Sequence, residues 1–108
     1  MSDQDVIQTI DQDVKSHKII MYVKGTKTMP QCGFSAATIG IFNKIGKPFE
    51  TRDILANPDL RRLVPAYSDW PTFPQVFING RFVGGCDICT ELFEQGELQK
   101  LVEQEISR

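Results

Sequence analysis

An α/β fold, a four-stranded mixed sheet with helices on both faces, is predicted by three observations. Short β-rich apolar runs alternate with stretches of helical periodicity. The first two such runs are joined by a helical stretch, as in a β-α-β crossover. Asn79-Gly80 stands between two later runs, and Asn-Gly is the strongest short hairpin signal. At 108 residues the chain is long enough for one domain with a real core, expected over 1–108, and too short for two.

The elements follow in order. Val6, Ile7, Ile10 and Val14 recur at helical spacing, so residues 3–16 read as an amphipathic helix. Ile19 to Val23 is an unbroken apolar run that suits a buried strand. A polar loop from Lys24 to Gln31 contains Gly25 and Pro30. A helix starts just after Cys32, with Phe34, Ile41, Phe42 and Ile45 on one face, so Phe34 is expected to pack beneath it. Gly46 and Pro48 stop that helix. Phe49 to Ile54 is a second strand. Asn57-Pro58 reads as an N-cap with proline at the first helical position, opening a helix to about Tyr67. Trp70-Pro71-Thr72-Phe73-Pro74 is a rigid approach to a third strand, Gln75 to Ile78, and the hairpin turns into a fourth, Arg81 to Val83. Gly84-Gly85 end it, and Asp87 is expected to open the next helix. A last helix from about Glu97 buries Leu98, Leu101, Val102 and Ile106. The order α-β-α-β-α-β-β-α-α is the outline of a thioredoxin-like domain.

Composition narrows the function. Hydrophobic residues at 41% and charged residues at 24% are ordinary for a globular chain. A net charge of -2 gives no basic face for nucleic acid, and Arg61-Arg62 alone usually marks a solvated helix face. No apolar run approaches the ~20 residues of a membrane helix. Asp3, Asp5, Asp11 and Asp13 argue against a signal peptide, so a cytoplasmic protein is expected. Three cysteines cannot all pair internally, and in a reducing compartment they are more often reactive, metal-binding or buried than structural.

Cys32-Gly33-Phe34-Ser35 is the most informative stretch. A sulfur at a helix N-terminus faces unpaired N–H groups and the positive end of the helix dipole, which favour thiolate over thiol. Lys24, in the loop after the first strand, approaches the same sulfur. The site lies at the end of a strand, where ligand sites concentrate. A Cys-x-x-Cys pair closes on itself, whereas Ser35 stands where the resolving sulfur would be. Cys32 is therefore free to form a mixed disulfide with another thiol or to bind a metal. The competing reading, a small buried hydrophobe, is the weaker one here.

Lys24-Gly25, then Pro30-Gln31-Cys32-Gly33-Phe34-Ser35, then Trp70-Pro71-Thr72-Phe73-Pro74-Gln75, then Gly84-Gly85-Cys86-Asp87 together resemble the monothiol glutaredoxins of the Cys-Gly-Phe-Ser type, in their short single-domain bacterial and organellar form. The likeness runs from about residue 6 to 105, with four motifs in order. It implies that the Cys32 thiolate binds one iron of a [2Fe-2S] cluster shared by two subunits, with two glutathione thiols completing the ligand set. Such clusters want four thiolates, and one cysteine per chain of a symmetric dimer supplies two. The resemblance also implies that Lys24 and Arg61, the latter in Pro58-Asp59-Leu60-Arg61, pair with the glycyl carboxylate of glutathione. Phe73, before a cis Pro74, offers backbone hydrogen bonds to the cysteinyl part. Cys86 and Asp87 bind the γ-glutamyl end, where a helix N-terminus receives a carboxylate and Asp87 takes the ammonium.

Cys86-Asp87-Ile88-Cys89 alone suggests a thioredoxin-type dithiol or half of a zinc site. Zinc lacks a second cysteine pair, and His17 is the only histidine. A thioredoxin-type dithiol follows the first strand of a β-α-β unit, whereas this pair follows a hairpin. Cys89 departs from the family pattern and reads first as a buried hydrophobe; a sharper expectation is that oxidation links Cys86 to Cys32. The implied function is a carrier: a homodimer holding a glutathione-ligated cluster for transfer to acceptor proteins, with a BolA-like protein as a further partner. The rival is an oxidoreductase in which Cys32 removes glutathione from mixed disulfides. Seven residues separate Lys24 from Cys32, an insertion that by resemblance slows the reductase reaction and favours the carrier.

Overall fold

The computed structural model describes residues 1–106. The elements are α1 (Asp3–Ser16), β1 (Ile19–Val23), α2 (Gly33–Ile45), β2 (Glu50–Asp53), α3 (Pro58–Ser68), β3 (Gln75–Ile78), β4 (Arg81–Gly84), α4 (Cys86–Glu94) and α5 (Glu97–Ile106). The sheet order is β2-β1-β3-β4. β1 runs parallel to β2, with Ile20 opposite Glu50, and antiparallel to β3, with Tyr22 opposite Gln75. β3 and β4 form the predicted hairpin around Asn79-Gly80, both at positive φ. Phe77 pairs with Phe82 and Val76 with Gly84, so Val83 bulges out of the ladder.

β1 is buried along its whole length, and its alternation divides the core in two. Ile19, Met21 and Val23 join Ile39, Phe42, Leu98 and Val102 beneath α2 and α5. Ile20 and Tyr22 join Val6, Ile10, Val14, Leu63 and Val64 beneath α1 and α3. The predicted mixed sheet with helices on both faces is the fold observed. Ser2 starts α1 with a capping box, its hydroxyl accepting from the Asp5 N–H at 3.1 Å.

Three details differ from expectation. β2 spans Glu50–Asp53 only; Phe49 and Ile54 flank it with their side chains in opposite core halves, and the Ile54 N–H still donates to the Val23 carbonyl at 2.9 Å. Asn57 holds the N-cap position of α3 but does not cap with its side chain, whose Nδ2 donates to the Asp53 carbonyl at 3.0 Å. α4 opens at Cys86 rather than Asp87, with Gly85 as N-cap, so Asp87 lies inside the first turn. Among the described residues no helix is long and apolar enough to cross a membrane.

Candidate functional site

The loop after β1 doubles back on itself before α2. The Gln31 N–H donates to the Lys24 carbonyl at 2.8 Å, and Gly25 bridges to Pro30. Gly25 sits at φ +97°, its N–H donating to Asp53 Oδ1 at 2.9 Å. A Cβ there would lie 2.6 Å from the Met29 carbonyl oxygen and 2.7 Å from the Gln31 nitrogen, so the turn accepts only glycine. The excursion returns the chain to the end of β1 and delivers Cys32 as the N-cap of α2 in extended geometry.

The Cys32 thiol makes no capping hydrogen bond of its own. Its surroundings nevertheless hold its pKa below the ordinary cysteine value. The Ser35 backbone N–H contributes most, burial opposes it, and the Phe34 N–H, the Ser35 hydroxyl and the Lys24 charge add to the lowering. These donors strengthen as the sulfur ionises, which reconciles a weak neutral contact with a favoured thiolate. Ser35 is fully buried, and its hydroxyl accepts the Lys24 backbone N–H at 3.1 Å. It thus ties α2 to the end of β1 while facing the sulfur.

The opposite wall is pinned from the core. Gln75 is buried, and its Nε2 donates to the Trp70 carbonyl at 2.8 Å and the Thr72 carbonyl at 3.1 Å. The Phe73–Pro74 peptide is cis. A Cβ on Gly85 would stand 3.1 Å from the Pro74 carbonyl oxygen, so the start of α4 packs closely on this segment.

Between the walls lies a groove of about 510 Å³ that all six expected residues line: Lys24, Cys32, Arg61, Phe73, Cys86 and Asp87. The two neighbouring arginines part ways. Arg62 forms ion pairs with Asp3 and Asp59, both at 3.0 Å, whereas Arg61 faces the groove and has no carboxylate partner among the described residues. Trp70, Pro71, Thr72 and Ile88 also line the groove, as does Phe34. Phe34 does not pack beneath its helix as expected; it is 63% exposed. Helical spacing put it in line with Ile41 and Ile45, but the buried face of α2 is centred on Ser35, Thr38, Ile39 and Phe42, and Phe34 falls at its edge. Trp70 and its neighbours were legible as a rigid segment, but their place in the groove depends on the Gln75 anchor.

Cys89 is fully buried in the core, and burial together with the nearby Cys86 pushes its pKa up to about 12. All three cysteines are free. Among the described residues no group of three or more His, Cys, Asp or Glu side chains could hold a metal ion.

The glutaredoxin family model matches residues 19–83, from β1 into β4. A protein of Synechocystis named as an uncharacterised monothiol glutaredoxin is 53% identical over 94 residues, 87% of this chain and 88% of its own length. The solution structure of reduced poplar apo GrxS14 is 45% identical and superposes with a TM-score of 0.88 over 100% of both chains. The crystal structure of a buckwheat glutaredoxin–glutathione complex shares the fold, with a TM-score of 0.83 over 94% of this chain and 91% of that one at 23% identity.

Proposed function

The chain belongs to the glutaredoxin family, in its monothiol branch, and on that premise we propose that it carries a glutathione-ligated [2Fe-2S] cluster between two copies of itself and passes it to acceptor proteins. The observation that carries this reading is the state of Cys32: an exposed-edge sulfur with a lowered pKa, in a groove, with a buried serine where a competing thiol would be. The donor set fits the cargo. Cys89 is sealed in the core and Cys86 is assigned to the γ-glutamyl end, so each copy offers Cys32, and two glutathione thiols bring the ligands to the four thiolates such clusters want.

The groove suits glutathione as well. Its volume falls in the ~300–1,000 Å³ range of small-molecule sites. Lys24 and Arg61 form a cationic end for the glycyl carboxylate. The open N–H groups at the start of α4 receive the γ-glutamyl carboxylate, and Asp87 takes the ammonium. Phe73 offers its backbone to the cysteinyl part. A BolA-like protein is the second partner proposed for the same face.

Anaerobic cluster reconstitution, with and without glutathione, tests the proposal. Wild type should give a coloured dimer that depends on glutathione, and Cys32→Ser should stay colourless and monomeric. A coloured Cys32→Ser protein would sink the ligand assignment.

The lowered Cys32 pKa also suits a second reading, removal of glutathione from mixed disulfides. The Cys32 thiolate attacks the glutathione sulfur and expels the protein thiol; a second glutathione thiolate then releases Cys32 and leaves as glutathione disulfide. Rapid turnover of a glutathionylated peptide, with no cluster formed, would put this reading first.

A further inference from the structure

We infer that Cys86 and Cys89 are a second redox centre, a dithiol at the start of α4 that closes to a disulfide by exchange with a small-molecule disulfide of the glutathione class. The argument starts from a parallel between two helices. α2 and α4 both begin at the groove, Cys32 as the N-cap of the one and Cys86 as the first residue of the other. Three residues on from Cys32 stands Ser35; three residues on from Cys86 stands Cys89. The resolving sulfur missing from α2 is present on α4.

The two sulfurs have the unequal exposure that a dithiol of this kind needs. Cys86 is half-buried and lines the groove, open to an incoming disulfide. Cys89 is fully buried one turn further on, shielded from solvent oxidants but not from its neighbour. Cys86 Sγ lies 3.9 Å from Thr90 Oγ1, which places the sulfur over the helix face that residues 89 and 90 share. Side chains three apart on a helix have Cβ atoms ~5–6 Å apart, and a disulfide needs about 3.5–4.5 Å. Closure therefore tightens the first turn of α4. The first turn of α4 is joined to its N-cap by the bond from the Cys89 N–H to the Gly85 carbonyl at 3.0 Å.

The chemistry balances in two exchanges. The Cys86 thiolate attacks glutathione disulfide, forming a Cys86–glutathione bond and releasing one glutathione thiolate. Cys89 attacks the Cys86 sulfur and expels the second glutathione, whose departing thiolate takes the Cys89 proton. The dithiol is oxidised by two electrons and the small disulfide is reduced to two thiols. Closing the pair shifts Asp87, between the two sulfurs in sequence, so the oxidised form should bind glutathione less tightly. The identity of the oxidant rests on the glutathione reading of the groove; the closure of the pair does not.

Cys32→Ser isolates the pair, and residues 82–100 form one tryptic peptide that contains both sulfurs. Incubation with glutathione disulfide or with bis(2-hydroxyethyl) disulfide, followed by thiol counting and non-reduced mass mapping, should remove both thiols. The peptide should lose the mass of two hydrogens and retain no adduct. Adding Cys89→Ala should leave a stable glutathione adduct on Cys86. A stable adduct on Cys86 with Cys89 still free in Cys32→Ser, or no reaction with either disulfide, overturns the inference. So does wild type that yields only a Cys32–Cys86 link. Closure at equal rates with both disulfides supports the dithiol and counts instead against glutathione recognition by the groove.

Discussion

Cys32 owes its reactivity to the backbone around it more than to any charged side chain. The Ser35 N–H is the largest influence lowering its pKa, and Lys24 the smallest of those named. Two substitutions separate these contributions. The pH profile of iodoacetamide alkylation should have its midpoint below the ~8.5 of a free cysteine. Ser35→Ala should raise that midpoint more than Lys24→Gln, and neither should abolish the depression, because the amides remain. A larger shift from Lys24→Gln would show that charge, not the helix terminus, holds the thiolate. Cys89 should resist alkylation throughout in the folded protein, its pKa being near 12. Lys24 and Arg61 matter more for the ligand than for the sulfur. Lys24→Ala and Arg61→Ala should each weaken glutathione binding about two- to fivefold, the effect of an exposed pair at ~0.5–1 kcal/mol. The loss should shrink in high salt. A calorimetric titration that finds Arg61→Ala silent would remove it from the site.

At the scale of the element, the loop after β1 decides whether Lys24 and Cys32 meet. Gly25→Ala forces a Cβ into two backbone atoms at 2.6 and 2.7 Å and keeps a positive φ that alanine rarely adopts. It should lower stability by about 1–3 kcal/mol. Glutathione affinity should fall with it, since both residues lose their setting. A denaturation midpoint equal to wild type would mean the loop re-forms without cost and is no template for the site. Much of this was legible in the chain itself. β1 and the hairpin announced themselves by β-branched runs and Asn79-Gly80, and the six groove residues by their motifs. What escaped was set by tertiary context. Helical spacing puts Phe34 in line with Ile41, but the buried face of α2 is centred on Ser35, Thr38, Ile39 and Phe42, two of them polar and so silent in an apolar pattern. Asp87 looks like a cap until Gly85, packed on the Pro74 carbonyl, is seen to take that place. Trp70 becomes a groove wall only through Gln75, a polar residue inside a strand whose purpose no local pattern discloses.

For the whole molecule, one strand carries both halves of the core, and the groove stands at the edge they share. β1 gives alternate residues to each half, and its carboxyl end leads directly to Lys24. The other wall hangs from Gln75, the first residue of β3, which pairs with Tyr22 of β1. The site therefore has no fold of its own to lose first. Leu98→Ala, in α5, and Ile10→Ala, in α1, should each cost about 2–5 kcal/mol as fully buried truncations in opposite halves. With no shared contacts their effects should add. Trp70, the only tryptophan, lines the groove and packs on Phe82 of β4 at 5.6 Å, so it reports on the groove wall and its seat on the sheet, while far-ultraviolet circular dichroism reports on all five helices. In denaturant the two signals should fall together, in wild type and in both variants. Trp70 fluorescence lost at lower denaturant than the helices would mean that the groove melts independently. The sheet would then support the helices without holding the site, and the Gln75 anchor could not have the role assigned to it.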